Sequence, residues 1–225
     1  MHIEPHVVDG AKLLLSYATA AGSLGYASKL IRDHLKESSN ISMLCARGAI
    51  SIIVVLCLFQ LLPHPPVGVS EVHLILGSSL FLLFGAAPAA IGLAGGLLIQ
   101  GLVFAPFDLP QYGMNVTTLL APLFLMDIAA RKIISQGTAY KDIGYSQALK
   151  LSLTFQGGIV AWVGFWSFYG QGFTAENLTN VSIFASAYLS VILVEPIIDL
   201  ALLYTAKSIS KSPISLFQSK LYLNS

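Results

Sequence analysis

From Val72 to Phe104 the chain reads VHLILGSSLFLLFGAAPAAIGLAGGLLIQGLVF, without one Asp, Glu, Lys or Arg. As a single helix this stretch would extend about 50 Å, against a bilayer hydrocarbon core of about 30 Å. It has to turn back on itself, and the tetrapeptide GAAP at 85–88 is where glycine and proline permit that. The remaining sequence belongs in the same surroundings. Of 225 residues, 55% are hydrophobic and 10% charged, whereas an average soluble domain carries roughly 25% charged residues.

Hydropathy marks seven spans, near 10–30, 46–62, 72–84, 89–104, 117–134, 147–168 and 180–206. Lys and Arg test this arrangement independently. With the N-terminus outside, Lys29, Arg32, Lys36, Arg47, Arg131, Lys132, Lys141, Lys150, Lys207, Lys211 and Lys220 all fall on the inner side and only Lys12 falls outside, as the positive-inside rule requires. The expectation is an all-α integral membrane protein of about seven helices, N-terminus out and C-terminus cytoplasmic. It divides into an external segment 1–9, a membrane domain 10–206 and a cytoplasmic tail 207–225. A net charge of +1 gives no field to recruit nucleic acid. Cys45 and Cys57, twelve apart on one helix, are about 18 Å apart along its axis and read as packing residues.

The external segment is MHIEPHVVDG. The first span is too polar, and lacks the small-residue cleavage pattern, to be a removable signal. A large second residue, His2, disfavours removal of Met1. A free amine followed by His at position 2 can chelate: the amine, the deprotonated His2 amide and the imidazole Nδ1 close two adjacent rings on one ion. One in-plane position is left for another imidazole. Such nitrogen sites suit Ni(II), Cu(II) and Co(II), whereas Mg(II) and Ca(II) prefer oxygen. The alternative is that His2 is an ordinary polar residue near a chain end.

His73 lies just inside the outer end of the third span, where an ionisable group is a functional hypothesis by default; otherwise it is a neutral histidine hydrogen-bonded between helices. His64, in Pro63-His64-Pro65-Pro66, reads as a solvated turn residue, His6 as a tail residue and His34 as cytoplasmic.

MHI at the start, VHL at 72–74 and QGLVFAPFDLPQYGMN at 100–115 resemble the CbiM/NikM family, the substrate-binding membrane components of energy-coupling-factor (ECF) cobalt and nickel importers. The family's His, the Gly twelve residues later, the Gln twenty-seven later and the Gly-x-Asn that follows are matched by His73, Gly85, Gln100, Gly113 and Asn115. The resemblance implies that the first residues fold back into the bundle. It also implies that Co(II) or Ni(II) is held by the Met1 amine, the His2 amide and imidazole, and His73. Asn115, Gln100 and Thr118 then support the pocket from behind the ligands. It further implies a bacterial inner-membrane protein with a transmembrane coupling protein, ATPase subunits and a small accessory membrane subunit as partners. The transported ion is cargo, and no catalytic cofactor is implied.

Departures from the family pattern are the long Glu4–Gly10 stretch with its extra His6, Thr118 in place of a second Asn, and Asp108 in the loop APFDLPQ. Glu71 and Asp108 read as exposed loop acids that solvate the mouth or draw cations toward it. In the last span Glu195 and Asp199 share one helix face. They either pair with basic groups near the inner interface, touch a partner or relay protons. Asp127 and Arg131, four apart, read as a helix-surface ion pair. No phosphate-binding GxxxxGK[ST] loop occurs, so the chain supplies no ATP hydrolysis and does no covalent chemistry. The small-residue runs ATAAGSLGYA and GLAGG permit close helix approach, within the bundle or against a partner. The other function classes are an ATPase-independent proton-coupled carrier using Glu195, Asp199 and Asp127, and a non-transporting membrane interaction protein.

Overall fold

A computed structural model describes residues 2–208; Met1, Lys211 and Lys220 lie outside the described residues. After the N-terminal segment and a single 3-10 turn at Gly10–Lys12, the helices are α1 (Leu13–Ser38), α2 (Ile41–Leu61), α3 (Gly77–Phe84), α4 (Ala86–Val103), α5 (Tyr112–Ile133), α6 (Tyr145–Gln171) and α7 (Ala175–Ser208). Five of them, α2 and α4 to α7, are long and apolar enough to cross a membrane. Helix α1 has the length, but Ser, Thr, Gly and Lys dilute its hydropathy. Helix α3 has only eight residues, about 12 Å at 1.5 Å per residue.

The expected third span, 72–84, is therefore half extended chain and half helix. The cause is a buried carboxylate. Glu195 Oε1 on α7 accepts the backbone N–H of Ile75 and of Leu76 at 2.9 Å, donors that would otherwise be orphaned at a helix start. Leu76 takes a left-handed conformation with φ 53° to open the helix. One and two residues into α3, the Ser78 and Ser79 hydroxyls donate to Asp199. Gln156 donates to Glu195 and accepts from Tyr188 at 2.7 Å. The expected pairing of Glu195 and Asp199 with basic groups is thus corrected: their partners are backbone amides, serines and Gln156. Neither proton relay nor partner contact is needed to explain why they are charged residues in a span.

The chain turns between α3 and α4 at Gly85, φ 90°, within the GAAP tetrapeptide. Helix α4 then lies directly on α2, because Gly92 leaves no room for a side chain against Ser51 and Gly96 none against Val55. The GLAGG run is used within the bundle. Gly22 and Gly25 of the ATAAGSLGYA run, by contrast, face open space. Of the five membrane-length helices α5 is the most enclosed, buried at every position from Gly113 to Leu120 and again at Leu123, Met126, Asp127 and Ala130. Asp127 pairs with Arg131 at 3.0 Å as their spacing predicts, although its carboxylate is buried rather than on the helix surface. Cys45 and Cys57 are free and exposed on α2.

Between α2 and α3 a short antiparallel hairpin forms from β1 (Pro66–Val67) and β2 (Ser70–Glu71), with Gly68 at φ 64° in its turn. The N-terminal segment, this hairpin, the α4–α5 connection and the α6–α7 connection gather at one end of the bundle. Lys29, Arg32, Lys36, Arg131, Lys132 and Lys207 belong to the helix ends at the opposite side. Such alternation is what seven consecutive helices of an up-and-down bundle give.

Candidate metal centre

The N-terminal segment enters the bundle as a third, one-residue strand of the hairpin, Ile3 bridging to Ser70. It is held on both edges. On one side the His2 carbonyl accepts the Glu71 N–H at 2.9 Å and the Ser70 hydroxyl at 2.9 Å, and the Glu4 N–H donates to the Val69 carbonyl at 3.2 Å. On the other, the Ile3 N–H donates to Asn115 Oδ1 on α5 at 2.8 Å. Ile3, Val7 and Val8 are buried, so the longer loop after MHI is anchored by its own apolar residues.

This frame brings His2 against His73, which stands between β2 and α3. The two ring centroids are 5.3 Å apart, and both side chains are buried. Between them stands Glu71: its Oε2 lies 2.7 Å from His2 Nδ1 and 2.7 Å from His73 Nε2. Burial alone pushes the Glu71 carboxyl up, but the hydrogen bonds from both imidazoles outweigh it and hold it well below the usual carboxylate range. Burial pushes the His2 imidazole down against the pull of Glu71. Both directions fit a neutral imidazole donating one N–H to an ionised carboxylate. Under that arrangement His2 Nε2 and His73 Nδ1, each buried and without a hydrogen bond, carry lone pairs. Phe59 forms an apolar wall, its ring centroid 4.8 Å from that of His73 and 6.2 Å from that of His2.

Two residues read differently from the sequence join this group. Glu71 is no solvating loop acid but its hub. The available signal was the Glu71-x-His73 spacing, since residues two apart on an extended chain face the same way. His64 is not simply a solvated turn residue. The hairpin folds the chain back so that its ring stacks on that of His73, centroids 4.9 Å apart at 7°, with Nδ1 3.7 Å from Glu71 Oε2. Asp108 is also buried, and its Oδ2 lies 3.9 Å from His2 Nε2.

Of the residues expected behind the ligands, Asn115 touches the site through the backbone of Ile3. Thr118 spends its hydroxyl on the Met114 carbonyl at 2.9 Å. Gln100 is buried with its Oε1 lacking a hydrogen bond. His6 meets the rest of the chain through its carbonyl, which accepts from Gln171 at 3.4 Å. Glu195 and Asp199 sit deeper, at the start of α3. Among the described residues, His2, Glu71 and His73 form the one group of three His, Cys, Asp or Glu side chains whose donor atoms all lie within 4.8 Å of one another.

A family model for the CbiM cobalt uptake substrate-specific transmembrane region matches residues 2–212. Two solved structures superpose on the chain at 18% identity. One is a truncated transition metal transporter, with TM-score 0.62 over 92% of this chain and 99% of that one. The other is a transition metal transporter, with TM-score 0.63 over 96% of each. At that identity the likeness shows a shared fold. A search of curated proteins gives no match.

Proposed function

The chain belongs to the CbiM family of cobalt uptake substrate-specific transmembrane proteins, and from that premise we propose that it captures Co(II) or Ni(II) for an energy-coupling-factor importer. Family membership makes it a multi-pass membrane component of transition-metal uptake, working with other transporter components, and not an enzyme. The finer reading is ours: a transmembrane coupling protein, a pair of ATPases and a small accessory subunit as partners, and an ion held by the Met1 amine, the His2 amide, His2 Nδ1 and His73.

The observation that carries it is the meeting of two buried imidazoles from positions 2 and 73 at one end of an apolar bundle, the first of them delivered by a backbone strand. A histidine at position 2 whose backbone is fixed in this way can chelate through backbone and side chain together. Nitrogen donors of this kind suit Co(II) and Ni(II), and the Irving–Williams order places Ni(II) above Co(II) at a given site. When Nδ1 takes the ion, the remaining His2 proton resides on Nε2, facing Asp108, in the carboxylate–histidine–metal relation that fixes ring orientation. The N-terminus-out orientation is supported by the basic residues at the helix ends remote from the site.

Metal uptake tests this reading. Cells expressing the chain with ECF coupling and ATPase subunits are expected to accumulate Co(II) or Ni(II) well above cells expressing it alone. Equal uptake in the two would favour an ATPase-independent carrier, and no uptake in either would leave a membrane interaction protein.

A further inference from the structure

We propose that Glu71 is itself a ligand to the transported ion, so that the site offers one carboxylate oxygen beside its nitrogens. This rests on the metal-capture reading above and extends it to coordination number and ion preference. Glu71 Oε2 is 2.7 Å from His2 Nδ1 and 2.7 Å from His73 Nε2. Donors on neighbouring corners of one ion, each about 2.1 Å from it, stand about 3 Å apart. Each imidazole nitrogen is thus already near coordination spacing from the carboxylate oxygen, with a shared proton between, and the donor atoms of the three residues all lie within 4.8 Å of one another.

Glu71 also cannot easily swing aside. Its backbone is paired with Pro66 in the hairpin and bonded to the His2 carbonyl. His64, stacked on His73, reaches to 3.7 Å from the same carboxylate oxygen. The Glu71 side chain is 18% exposed, against 4% for His2 and 0% for His73, so of these three it is the one open to an ion arriving from outside.

The consequence is a choice among ions. Four nitrogens in a plane suit Ni(II) and Cu(II), whereas carboxylate oxygen widens the fit toward Co(II) and other ions of higher coordination number. Square-planar Ni(II) is diamagnetic, and an added fifth ligand makes it paramagnetic.

The test uses the full chain purified in detergent and loaded with nickel or cobalt chloride. Wild-type protein is expected to hold paramagnetic Ni(II), read from its NMR shifts and magnetic susceptibility. Glu71→Gln should hold diamagnetic Ni(II) and shift the Co(II)/Ni(II) affinity ratio toward nickel by about tenfold or more. Glu71→Asp, which keeps a carboxylate, should retain part of the paramagnetism. Diamagnetic Ni(II) in the wild type overturns the proposal even if the Glu71 variants fail to fold. So does a folded Glu71→Gln with unchanged magnetism and ratio, since Glu71 would then only orient the imidazoles. His73→Ala loaded in parallel separates the two readings: undiminished metal there refutes the capture site itself, whatever Glu71 does.

Discussion

Placing a leader of four residues without histidine ahead of Met1 separates the terminal amine from the side chains of the proposed site. The strand that carries His2 is held by Ser70, Glu71 and Asn115 through the His2 carbonyl, the Ile3 N–H and the Glu4 N–H. None of those bonds involves Met1, so His2 and its imidazole keep their place in the extended chain. The free amine does not: four extended residues move it by about 13–14 Å, far beyond a metal–nitrogen bond of about 2.0–2.1 Å. The Met1 nitrogen becomes an amide, and the two-ring chelate is lost. Four-donor structural zinc sites bind with about 10–16 kcal/mol, or about 2.5–4 per donor. Losing two donors thus removes about 5–8 kcal/mol, more than a thousandfold in affinity. The assay is competition titration of Co(II) and Ni(II) into the two proteins, with far-UV circular dichroism and membrane insertion as controls. An extended protein that folds and binds within about tenfold of the original would show that His2 acts through its side chain alone, and the amine and amide would leave the ligand set.

His73→Ala is expected to abolish high-affinity metal binding, while His64→Ala, which removes a stacked neighbour, weakens it far less; equal losses at the two positions would refute the assignment. Apparent affinity should rise with pH, because three of the four proposed donors must shed protons. Burial holds His2 below its ordinary 6.5, so its share of the rise falls below that pH, and the share above it follows the amine near about 7.7–8.0. A flat titration between about pH 5.5 and 8 contradicts this ligand set. Asn115→Ala leaves the buried Ile3 N–H without an acceptor, a loss of about 1–3 kcal/mol that should weaken metal binding about 5- to 150-fold, whereas Thr118→Ala should be nearly silent in the same titration. Glu195→Ala strips the acceptor from two buried amides at the start of α3 and should lower the unfolding temperature in detergent by about 5–20 °C, with unchanged stability refuting the capping role.

The features legible in the sequence were those that depend on one residue at a time or on regular periodicity. The charge-free stretch set the turn at Gly85 and the crossing by α4, and His73 stood out because an imidazole among apolar residues is costly. Helix α3 was misread in length because hydropathy counts apolar residues. It does not see that Glu195, 120 positions away, supplies the acceptor that lets the chain stay extended up to Leu76. Glu71 and His64 were misread for a related reason. Each lies in a Pro-rich or charged connection that composition assigns to solvent, and only the hairpin pairing turns both toward His73. Glu195 and Asp199 were correctly seen to share a face, but the sequence could not show that serines and backbone amides, not cations, stand opposite.

The one-residue strand at Ile3 sets an order of events during synthesis. His2 is made well ahead of its support: the Asn115 carboxamide that fixes the next residue follows it by more than a hundred positions, a wait of about 6–23 seconds at 5–20 residues per second. Until then the leading segment has α1, α2 and the hairpin to rest on, but nothing on its other edge. Lys12, which reaches the Gly170 carbonyl at 2.7 Å, waits longer still, until α6 is complete. The end of the molecule that holds the proposed metal site is thus finished late although His2 precedes every helix, and an emerging polypeptide arrested before α5 exposes its histidine without the means to hold it in place.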